Sequence, residues 1–488
     1  MMGRHDPQKD LFSYQIDLDK RVRRDHPLRR ITEQVDFGFV REEVQRFYGR
    51  NGHESIDPEI ILKMIFLLFY DDVASERELM KIIAERLDYM WFLGYGLDDE
   101  IPDHSVLSKA RKRWGKEVFE GFFVRTVVQC VQAGLVDGHK IHVDSSLIDA
   151  NASKGSVLKG SPELIAALKQ AYQAQEMKLE DVSTSPYYQP VNDSLMSKTD
   201  PDAAMVRKSG DRARPRYHHH RVVDDAEGVI TAVESTPGSI AENKKLMDMV
   251  QQHESNTHST VKTVVADHKY GTVENYVAGQ QAGWQTHMGD LLAKQNHAQK
   301  QTGIFPESAF TYRREDNTYL CPAGQVMKAR RLHWFKRTWE YHLPKEVCAG
   351  CALRTQCTRS RTGRTIHRHE QQDLLDRARQ QAHSPEARKD RQRRQIVIEQ
   401  SFADAANNHG FKRSRWRRLW RQQIQDYLIA AIQNIRILLS RAGKDASAEA
   451  GALKTLTVEA VLMVFSLLQT FTRNLSRHLA RTAAITLH

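Results

Sequence analysis

KIHVDSSLIDANAS, residues 140–153, is the stretch in which the chain changes from a helical to a strand pattern. Ile141 and Val143 alternate with His142 and Asp144, which is the two-residue period of a strand with one buried face. Upstream, residues 10–138 look almost entirely helical, and one helix is apolar nearly all round, as in a buried helix. The pattern predicts a helical N-terminal lobe, then a sheet whose first strand ends near Asp144.

The elements predicted after this stretch form a mixed α/β core. Two β-branched runs on either side of residues 226–228 predict a hairpin, followed by a helix over 241–252 and a strand over 261–266. The polar segment 155–215 lacks an apolar period, so we predict an irregular insertion there. Strand, hairpin, helix and strand in this order indicate a compact α/β core with a mixed sheet.

Three carboxylates stand out in this framework. Asp144 and Asp267 (in VVADHKYG) each follow a β-branched run, and Glu399 (in RRQIVIEQSFADA) lies in a basic helix predicted over 377–408. Hard divalent cations prefer oxygen ligands and keep open positions for phosphate oxygens. Two-metal sites hold their ions about 3.5 to 4 Å apart, a span that such carboxylates can bridge. The three residues predict a site for two Mg²⁺ or Mn²⁺ ions.

Each carboxylate also has a simpler interpretation. A single Asp after a strand more often caps a turn than binds a metal, because its side chain readily accepts hydrogen bonds from nearby backbone. Asp149, Asp224 and Asp225 are rivals on spacing alone.

The charge of the chain favours a polyanionic partner. Its net charge is +11, and clustered Lys and Arg release counterions from phosphate backbones. The polar start MMGRHDPQKD has no apolar signal core, and the apolar run 456–471 is shorter than the roughly 20 residues that span a bilayer. We therefore expect a cytoplasmic, nucleoid-associated protein without a membrane partner.

Two basic clusters are candidate DNA contacts. The first lies in the predicted helix SVLSKARKRWG and comprises Lys109, Arg111, Lys112 and Arg113. A short basic helix among other helices is typical of helix-turn-helix DNA-binding proteins, and a solvated helix face is the alternative. The second cluster precedes and enters a helix predicted over 416–439 and comprises Lys412, Arg413, Arg415, Arg417, Arg418 and Arg421. It contains no acidic residue and is interleaved with tryptophans, which favours phosphate binding over a plain solvated run.

Four late cysteines have the spacing of a metal site. Cys321 is followed after 26 residues by the C-x2-C-x5-C group of Cys348, Cys351 and Cys357. Four thiolates around one tetrahedral ion make a closed structural zinc site. The alternative is four unligated cysteines. The fifth, Cys130, lies in an apolar helix and is predicted to be a core residue.

Four ordered motifs resemble the DDE transposases of bacterial insertion sequences. They are PDHSVLSKARKRW (102–114), GHKIHVDSSLIDANAS (138–153), VVADHKYGTVENY (264–276) and VIEQSFADAANNHGFKRSRWRRL (397–419), and the resemblance covers most of residues 35–440. It implies an RNase H-like catalytic core with Asp144, Asp267 and Glu399 as the DDE residues. It also implies strand nicking by water and strand transfer by a DNA 3′-OH. Similar cysteines occur in many members of this group.

The chain departs from the family pattern around Glu399. The family's third block usually reads Tyr-x2-Arg-x3-Glu-x6-Lys; the flanking positions here hold Gln392, Gln395 and Ala406, with Arg393, Arg394 and Lys412 nearby. Arg418 stands where a glycine is usual. These departures concern DNA-end contacts and touch none of the three carboxylates.

Together the patterns predict five segments. They are a helical N-terminal DNA-binding domain (1–138), the first part of an RNase H-like catalytic core (139–290), a four-cysteine zinc-binding insertion (291–371), the second part of the core with the Glu-bearing and basic helices (372–443), and a C-terminal helical tail (444–488). The expected function is a transposase that holds two double-stranded DNA ends in a homodimer. A catalytically silent DNA-binding repressor is the alternative, and a structure-specific nuclease is third.

Overall fold

A computed structural model of the protein describes residue 2 and residues 17–49, 54–176, 195–207, 211–290 and 303–445. The chain divides into two compact units, Met1–Leu439 and Ser440–His488. Most of the second unit, with the tail predicted over 444–488 and the apolar run 456–471, lies outside the described residues. Within the described ranges, no helix is long and apolar enough to cross a membrane.

The N-terminal lobe is helical, as predicted. Asp57 caps the helix that begins at Pro58 and accepts a hydrogen bond from the Glu59 amide at 2.9 Å, and Ser75 caps the next helix in the same way. The helices are α1 Leu18–Arg21, α2 Pro27–Gln34, α3 Phe39–Val44, α4 Pro58–Tyr70, α5 Glu76–Glu85, α6 Leu87–Leu93, α7 Ser105–Trp114 and α8 Glu117–Gln132.

The first part of the core supplies the main sheet and a separate two-stranded sheet. The strands are β1 Lys140–Asp149, β2 Val157–Lys159, β3 Leu195–Ser197, β4 Ala204–Val206, β5 Arg214–Asp224, β6 Ile230–Pro237, β7 Thr263–Ala266 and β8 Gln285–His287. β2 and β3 pair with each other, and the other six strands form the main sheet. Its helices are α9 Pro162–Glu176, α10 Leu246–Thr257 and α11 Val273–Gln281. The 15-residue helix α9 corrects the prediction of an irregular segment over 155–215.

The cysteine-bearing insertion is built on a second sheet. The antiparallel strands β9 Thr311–Arg313, β10 Thr318–Leu320, β11 Val326–His333, β12 Thr338–His342 and β13 Thr365–His369 lie in the order β13-β12-β11-β10-β9. Two short helices, α12 Lys345–Ala349 and α13 Arg354–Cys357, connect β12 to β13. A small core that includes Phe310, Met327 and Tyr341 supports them.

The chain then returns to the main sheet with α14 Gln372–Ala382, α15 Pro385–Asn408 and α16 Leu419–Asp445. The prediction of a single helix over 377–408 was wrong, because two helices, α14 and α15, occupy this stretch. Proline lacks the amide donor that a continuous helix needs, and Ser384 instead caps a new helix by accepting from the Ala387 amide at 3.0 Å.

The main sheet has the strand order β6-β5-β1-β7-β8, with β4 also pairing with β5. β1, β5 and β6 are antiparallel, whereas β7 and β8 run parallel to β1. An antiparallel meander continued by two parallel strands is an RNase H-like topology. The mixed α/β class predicted from the sequence is therefore confirmed.

Helices cover both faces of this sheet. One face packs against α10, α11 and α14 through residues such as Val143, Val222 and Val264. The opposite face shares one continuous core with α15, α16 and the helical lobe, to which Ile148, Tyr217 and Ile398 contribute. Asp144 belongs to this second face.

Candidate active site

β1 and β7 place two of the predicted carboxylates side by side. Val143 pairs with Ala266 at the end of the parallel ladder, so Asp144 and Asp267 follow on neighbouring strands, which lie about 4.8 Å apart. β1 itself continues to Asp149 and pairs with β5 throughout. The prediction that this strand ends at Asp144 was therefore wrong, although the neighbouring strand does end there.

Beyond Val143, β1 no longer pairs with β7. The same edge of β1 instead forms hydrogen bonds with the basic segment, which is the stretch that carries the second basic cluster. The Asp149 amide donates to the Lys412 carbonyl at 3.0 Å, and the Ser414 amide donates to the Asp149 carbonyl at 2.9 Å. Lys412 Nζ donates to Ser146 Oγ at 2.7 Å, one strand period from Asp144. Asp144 thus lies in the interval between the end of β7 and a cationic strand-like segment.

Both oxygens of Asp144 accept hydrogen bonds from the protein. The Ser145 amide donates to Oδ1 at 2.8 Å, and Arg394 Nη1 donates to Oδ2 at 2.5 Å. Burial raises the pKa of Asp144, and the negative charge of Asp267 acts in the same direction, whereas Arg394 lowers it. Arg394 is therefore the principal counterion of this carboxylate.

Helix α15 is fixed across the sheet by three polar contacts. Asp390 accepts from Lys140 Nζ at 3.0 Å and lies 2.7 Å from His287 Nδ1, which ties the start of α15 to β1 and β8. Arg394 follows one turn later. Ser401 Oγ accepts from Arg221 Nη1 of β5 at 2.6 Å. These contacts determine which face of α15 meets the sheet.

Glu399 lies on α15, as predicted, and is exposed. The buried positions of this helix include Arg394 and Ile398, so Glu399 lies beside the face that packs on the sheet. Across the described residues, no group of three or more His, Cys, Asp or Glu side chains is arranged so that it could hold a metal ion. The structure thus pairs Asp144 with Asp267, and Glu399 does not complete a three-ligand group with them.

Two charged residues beside this pair were not identified from the sequence. Lys269 Nζ lies 2.7 Å from Glu242 Oε1, and Ser145 Oγ donates to the other Glu242 oxygen. The hydrogen bond with Glu242 raises the pKa of Lys269, and the charges of Asp267 and Asp144 add to the effect. Lys269 could have been noticed two residues after Asp267, but nothing in the sequence connects Glu242 with this site.

The rival aspartates have structural partners. Asp149 Oδ1 accepts from Arg216 Nε at 2.6 Å, and Asp224 accepts from the Gly138 amide at 2.8 Å. Asp225 Oδ1 accepts from Arg393 Nε at 2.5 Å and lies 2.7 Å from His142 Nε2. These contacts brace the sheet and its hairpin.

The first basic cluster divides into buried and exposed members. Arg111 is buried, pairs with Glu76, and stacks over Trp416 with its guanidinium carbon 3.9 Å from the ring centroid. This contact joins the helical lobe to the basic segment. The exposed members on α7 are Lys109, Lys112 and Arg113.

The second basic cluster divides in the same way. Arg415 pairs with Asp72 of the lobe and donates to the Val73 carbonyl, while Arg418 is buried with its Nε 3.3 Å from Asp202 Oδ2. The exposed or half-exposed members are Lys412, Arg413, Arg417 and Arg421.

The four late cysteines line one small cavity in the insertion. Its volume is about 40 Å³, and Cys321, Cys348, Cys351 and Cys357 all contribute to its wall. Burial raises the pKa of Cys357, and the other three thiols add to this effect. All four are free thiols. Cys130 is buried elsewhere, as predicted.

The fold places two hard oxygen ligands near each other. The RNase H-like sheet carries Asp144 within β1 and Asp267 directly after the adjacent strand β7, and the long helix α15 lies across the same face. Comparison with known proteins adds two domain matches.

Residues 16–113 match a family model described as Transposase domain (DUF772), and residues 320–439 match one described as Transposase DDE domain. Two separate stretches of the chain are therefore similar to transposase domains. The second match contains Glu399 and the basic segment, while Asp144 and Asp267 lie outside both matches.

One solved structure with some similarity is the Mos1 transposase paired-end complex with left transposon end. The similarity has 10% sequence identity and a TM-score of 0.16, and it covers 51% of this chain and 64% of that one. The chain thus spans less than two thirds of that relative. A score this low does not establish a shared fold, so the fold rests on the strand order. No curated protein matches the chain.

Proposed function

We propose that this protein is a DNA transposase that binds the terminal inverted repeats of an insertion sequence and catalyses strand cleavage and strand transfer. The observation that carries the proposal is the adjacency of Asp144, within β1, and Asp267, directly after the parallel strand β7, beside α15. The two transposase domain matches support the same activity.

In this proposal Asp144, Asp267 and Glu399 supply the oxygen ligands of two Mg²⁺ or Mn²⁺ ions. Asp144 and Asp267 suit such ions because they are hard ligands on neighbouring strands, partly open to solvent. Glu399 is the ligand that has to join them from α15. When bound, the ions would activate the attacking oxygen and stabilise the leaving oxygen of the phosphodiester.

DNA contacts are assigned to the basic residues that the protein leaves exposed. Lys412 contacts Ser146 on the strand that carries Asp144, and Arg413, Arg417 and Arg421 follow it along the chain. These four residues would hold backbone phosphates, which fixes register without reading sequence. Lys109, Lys112 and Arg113 on α7 would serve the recognition of the element's ends. Arg111, Arg415 and Arg418 already pair with the carboxylates of Glu76, Asp72 and Asp202, so we give them the role of holding the DNA-binding surface together.

A structural zinc ion is the proposed occupant of the cysteine cavity. The four cysteines line one small cavity, and a closed four-thiolate site would require their sulfurs to draw together around one ion. We further propose that two copies of the chain form a synaptic complex, because two element ends have to be joined in one reaction.

The test separates cleavage from binding. Asp144→Asn, Asp267→Asn and Glu399→Gln should each lose Mg²⁺- or Mn²⁺-dependent cleavage of element-end DNA by several orders of magnitude, yet bind that DNA, since a metal ligand contributes chemistry rather than phosphate contacts. Cleavage is measured on labelled duplexes and binding by mobility shift.

Asp149→Asn is the matched control, because Asp149 lies on the same strand and pairs with Arg216 instead. It should retain cleavage. If the three variants cleave as wild type does, the assignment fails. Wild-type protein that binds the ends but never cleaves them would favour the silent repressor.

A further inference from the structure

The hairpin formed by β11 and β12, residues 326–342, carries the most exposed large apolar side chain in the described part of the chain. Trp334, at its tip, is 78% exposed. Several hydrogen bonds hold this tip. The Arg337 amide donates to the Trp334 carbonyl at 3.2 Å, and Glu370 accepts from Arg337 Nε at 3.0 Å while its own amide donates to the Arg337 carbonyl at 2.9 Å. An ordered turn thus presents the indole to solvent.

The strand that leads to this tip exposes a row of cations. Met327 and Tyr341 belong to the small core of the insertion, so Lys328 lies on the opposite, open face of the sheet. Strict alternation after Lys328 would turn Arg331 towards the core. The ladder with β12 instead shifts by one residue just before Arg331, and such a bulge adds a residue to one strand. Arg330 and Arg331 are therefore both exposed.

Three of the exposed cations on the hairpin have no counterion. Lys328, Arg331 and Lys336 form no hydrogen bond or ion pair within the ranges that the structure describes. Glu340 is the one acidic residue of the hairpin, and one of its carboxylate oxygens already lies 2.9 Å from His333 Nε2. The hairpin is therefore a positive surface with an apolar group at its end.

Duplex DNA matches this surface better than a protein does. Cations without a partner gain affinity when they displace counterions from phosphates. The major groove of DNA also admits a two-stranded β-ribbon, and an aromatic ring can contact or stack on bases. A second copy of the hairpin would place cations against cations, in a chain whose net charge is already +11.

We propose that the β11–β12 hairpin is a DNA-binding ribbon, in which Lys328, Arg331 and Lys336 contact backbone phosphates and Trp334 contacts the bases. The proposal rests on the proposed function, because it takes DNA as the ligand. It adds a third DNA contact to the two basic clusters assigned above, and no residue of the candidate active site takes part in it.

The first experiment measures binding of the full-length protein to a fluorescein-labelled DNA duplex of random sequence, by anisotropy at several salt concentrations. The combined variant Lys328→Gln, Arg331→Gln and Lys336→Gln removes three phosphate contacts. Each contact contributes roughly 0.9 to the slope of log affinity against log salt, so the slope should become shallower by about 2.7.

A second combined variant is the matched control. Arg314→Gln, Lys345→Gln and Arg361→Gln remove the same charge from exposed positions elsewhere in the insertion. The salt slope of this variant should stay close to that of wild type. An equal loss of slope in both combined variants would show an effect of net charge and would overturn the proposal.

Trp334→Ala tests the apolar part of the contact. It should weaken DNA binding on the order of tenfold without changing the salt slope, because an aromatic contact with bases is lost and no charge is removed. Trp334→Phe keeps a ring and should bind nearly as wild type does. The thermal unfolding midpoints of all these variants should match that of wild type, because the substituted side chains are exposed.

The outcomes separate this proposal from the proposed function. If wild type binds the duplex and the hairpin variants bind it equally well with the same slope, the ribbon is overturned and the proposed function stands. If wild type shows no salt-dependent binding, both proposals fall. If Trp334→Ala changes the oligomeric state, measured by light scattering, and leaves DNA affinity unchanged, the tip is a protein contact and the ribbon is overturned. A shallower slope confined to the hairpin variant, together with weaker binding by Trp334→Ala, supports the ribbon.

Discussion

Arg418 adopts a left-handed backbone conformation, with φ of 85°, immediately before the 27-residue helix α16. Glycine adopts such a conformation without a steric penalty, whereas arginine does not. The side chain compensates in part, because the buried guanidinium lies 3.3 Å from Asp202 Oδ2 and 4.9 Å from the ring centroid of Tyr172. Contacts with a neighbouring segment thus accommodate an arginine in this backbone conformation.

Two effects oppose each other in Arg418→Gly. Glycine removes a backbone cost of about 1–2 kcal/mol, whereas truncation of one partner of a buried ion pair costs about 3–5 kcal/mol. We expect a net loss of about 2 kcal/mol in the free energy of unfolding, measured by urea denaturation.

In an Asp202→Asn background the ion pair is already gone. The same Arg418→Gly change should then be neutral or stabilising, because the ion-pair term is absent and the backbone term opposes only the contact with Tyr172. An equal loss in both backgrounds would show that the pair with Asp202 does not offset the backbone strain.

At this scale the sequence identifies residue types but not their partners. Asp144, Asp267 and Glu399 could be named because the patterns around them and the family resemblance single them out. The pairing of Arg394 with Asp144 could not be predicted, because the two residues are 250 positions apart and the choice among neighbouring arginines depends on how α15 is rotated.

At the scale of elements, the hydrophobic periodicity of the sequence predicted those helices and strands whose positions depend on local sequence. The strands around Asp144, the hairpin and most N-terminal helices are found where the sequence places them. The break between α14 and α15 was not predicted, because the residues on both sides favour helix. Pro385 nevertheless indicates the start of a new helix. The second sheet was missed because its strands are rich in polar residues and β9 and β10 have only three residues each, so there is little apolar alternation to detect.

The insertion around that second sheet has a core of few large residues, so a zinc ion would contribute much of its stability. Metal analysis should find one zinc per chain, and Cys351→Ser should lose it. Chelation should melt this insertion, followed by hydrogen exchange of β9 to β13, while β1 and β5 stay protected. Cys130→Ala is the control and should retain zinc, since Cys130 lies in a separate core. Protein that folds normally without any zinc would contradict the proposal.

Across the whole molecule, the helical lobe, the sheet and α16 share one core, so the lobe is not held by a flexible linker alone. Sequence patterns suggested a boundary near residue 138 because the periodicity changes there. They could not show that Arg111 and Arg415 cross this boundary to reach Trp416 and Asp72. Such contacts join surfaces that are distant in sequence, and the division into domains stays a prediction.

The same core makes stability depend on pH through buried histidines. His220, in the middle of β5, is fully buried, and burial lowers its pKa well below the ordinary 6.5, with the charges of His218 and His219 acting in the same direction. Below pH 6.5 the unfolded chain therefore binds a proton that the folded protein excludes. The contribution of neutral His220 to the free energy of unfolding is present above pH 6.5. It is lost as the pH falls below 6.5, by up to about 1.4 kcal/mol per pH unit.

Other groups titrate in the same range, so the test has to isolate His220. Burial raises the pKa of Asp200 to about 6, which favours the folded state as the pH falls and opposes the histidines. Comparison of wild type with His220→Gln removes such shared contributions. Glutamine keeps a donor for Thr236 Oγ1, which lies 2.9 Å from His220 Nε2. Between pH 7 and 5, the free energy of unfolding of wild type should fall more steeply than that of the variant. Parallel curves would mean that His220 becomes protonated within the folded protein without cost.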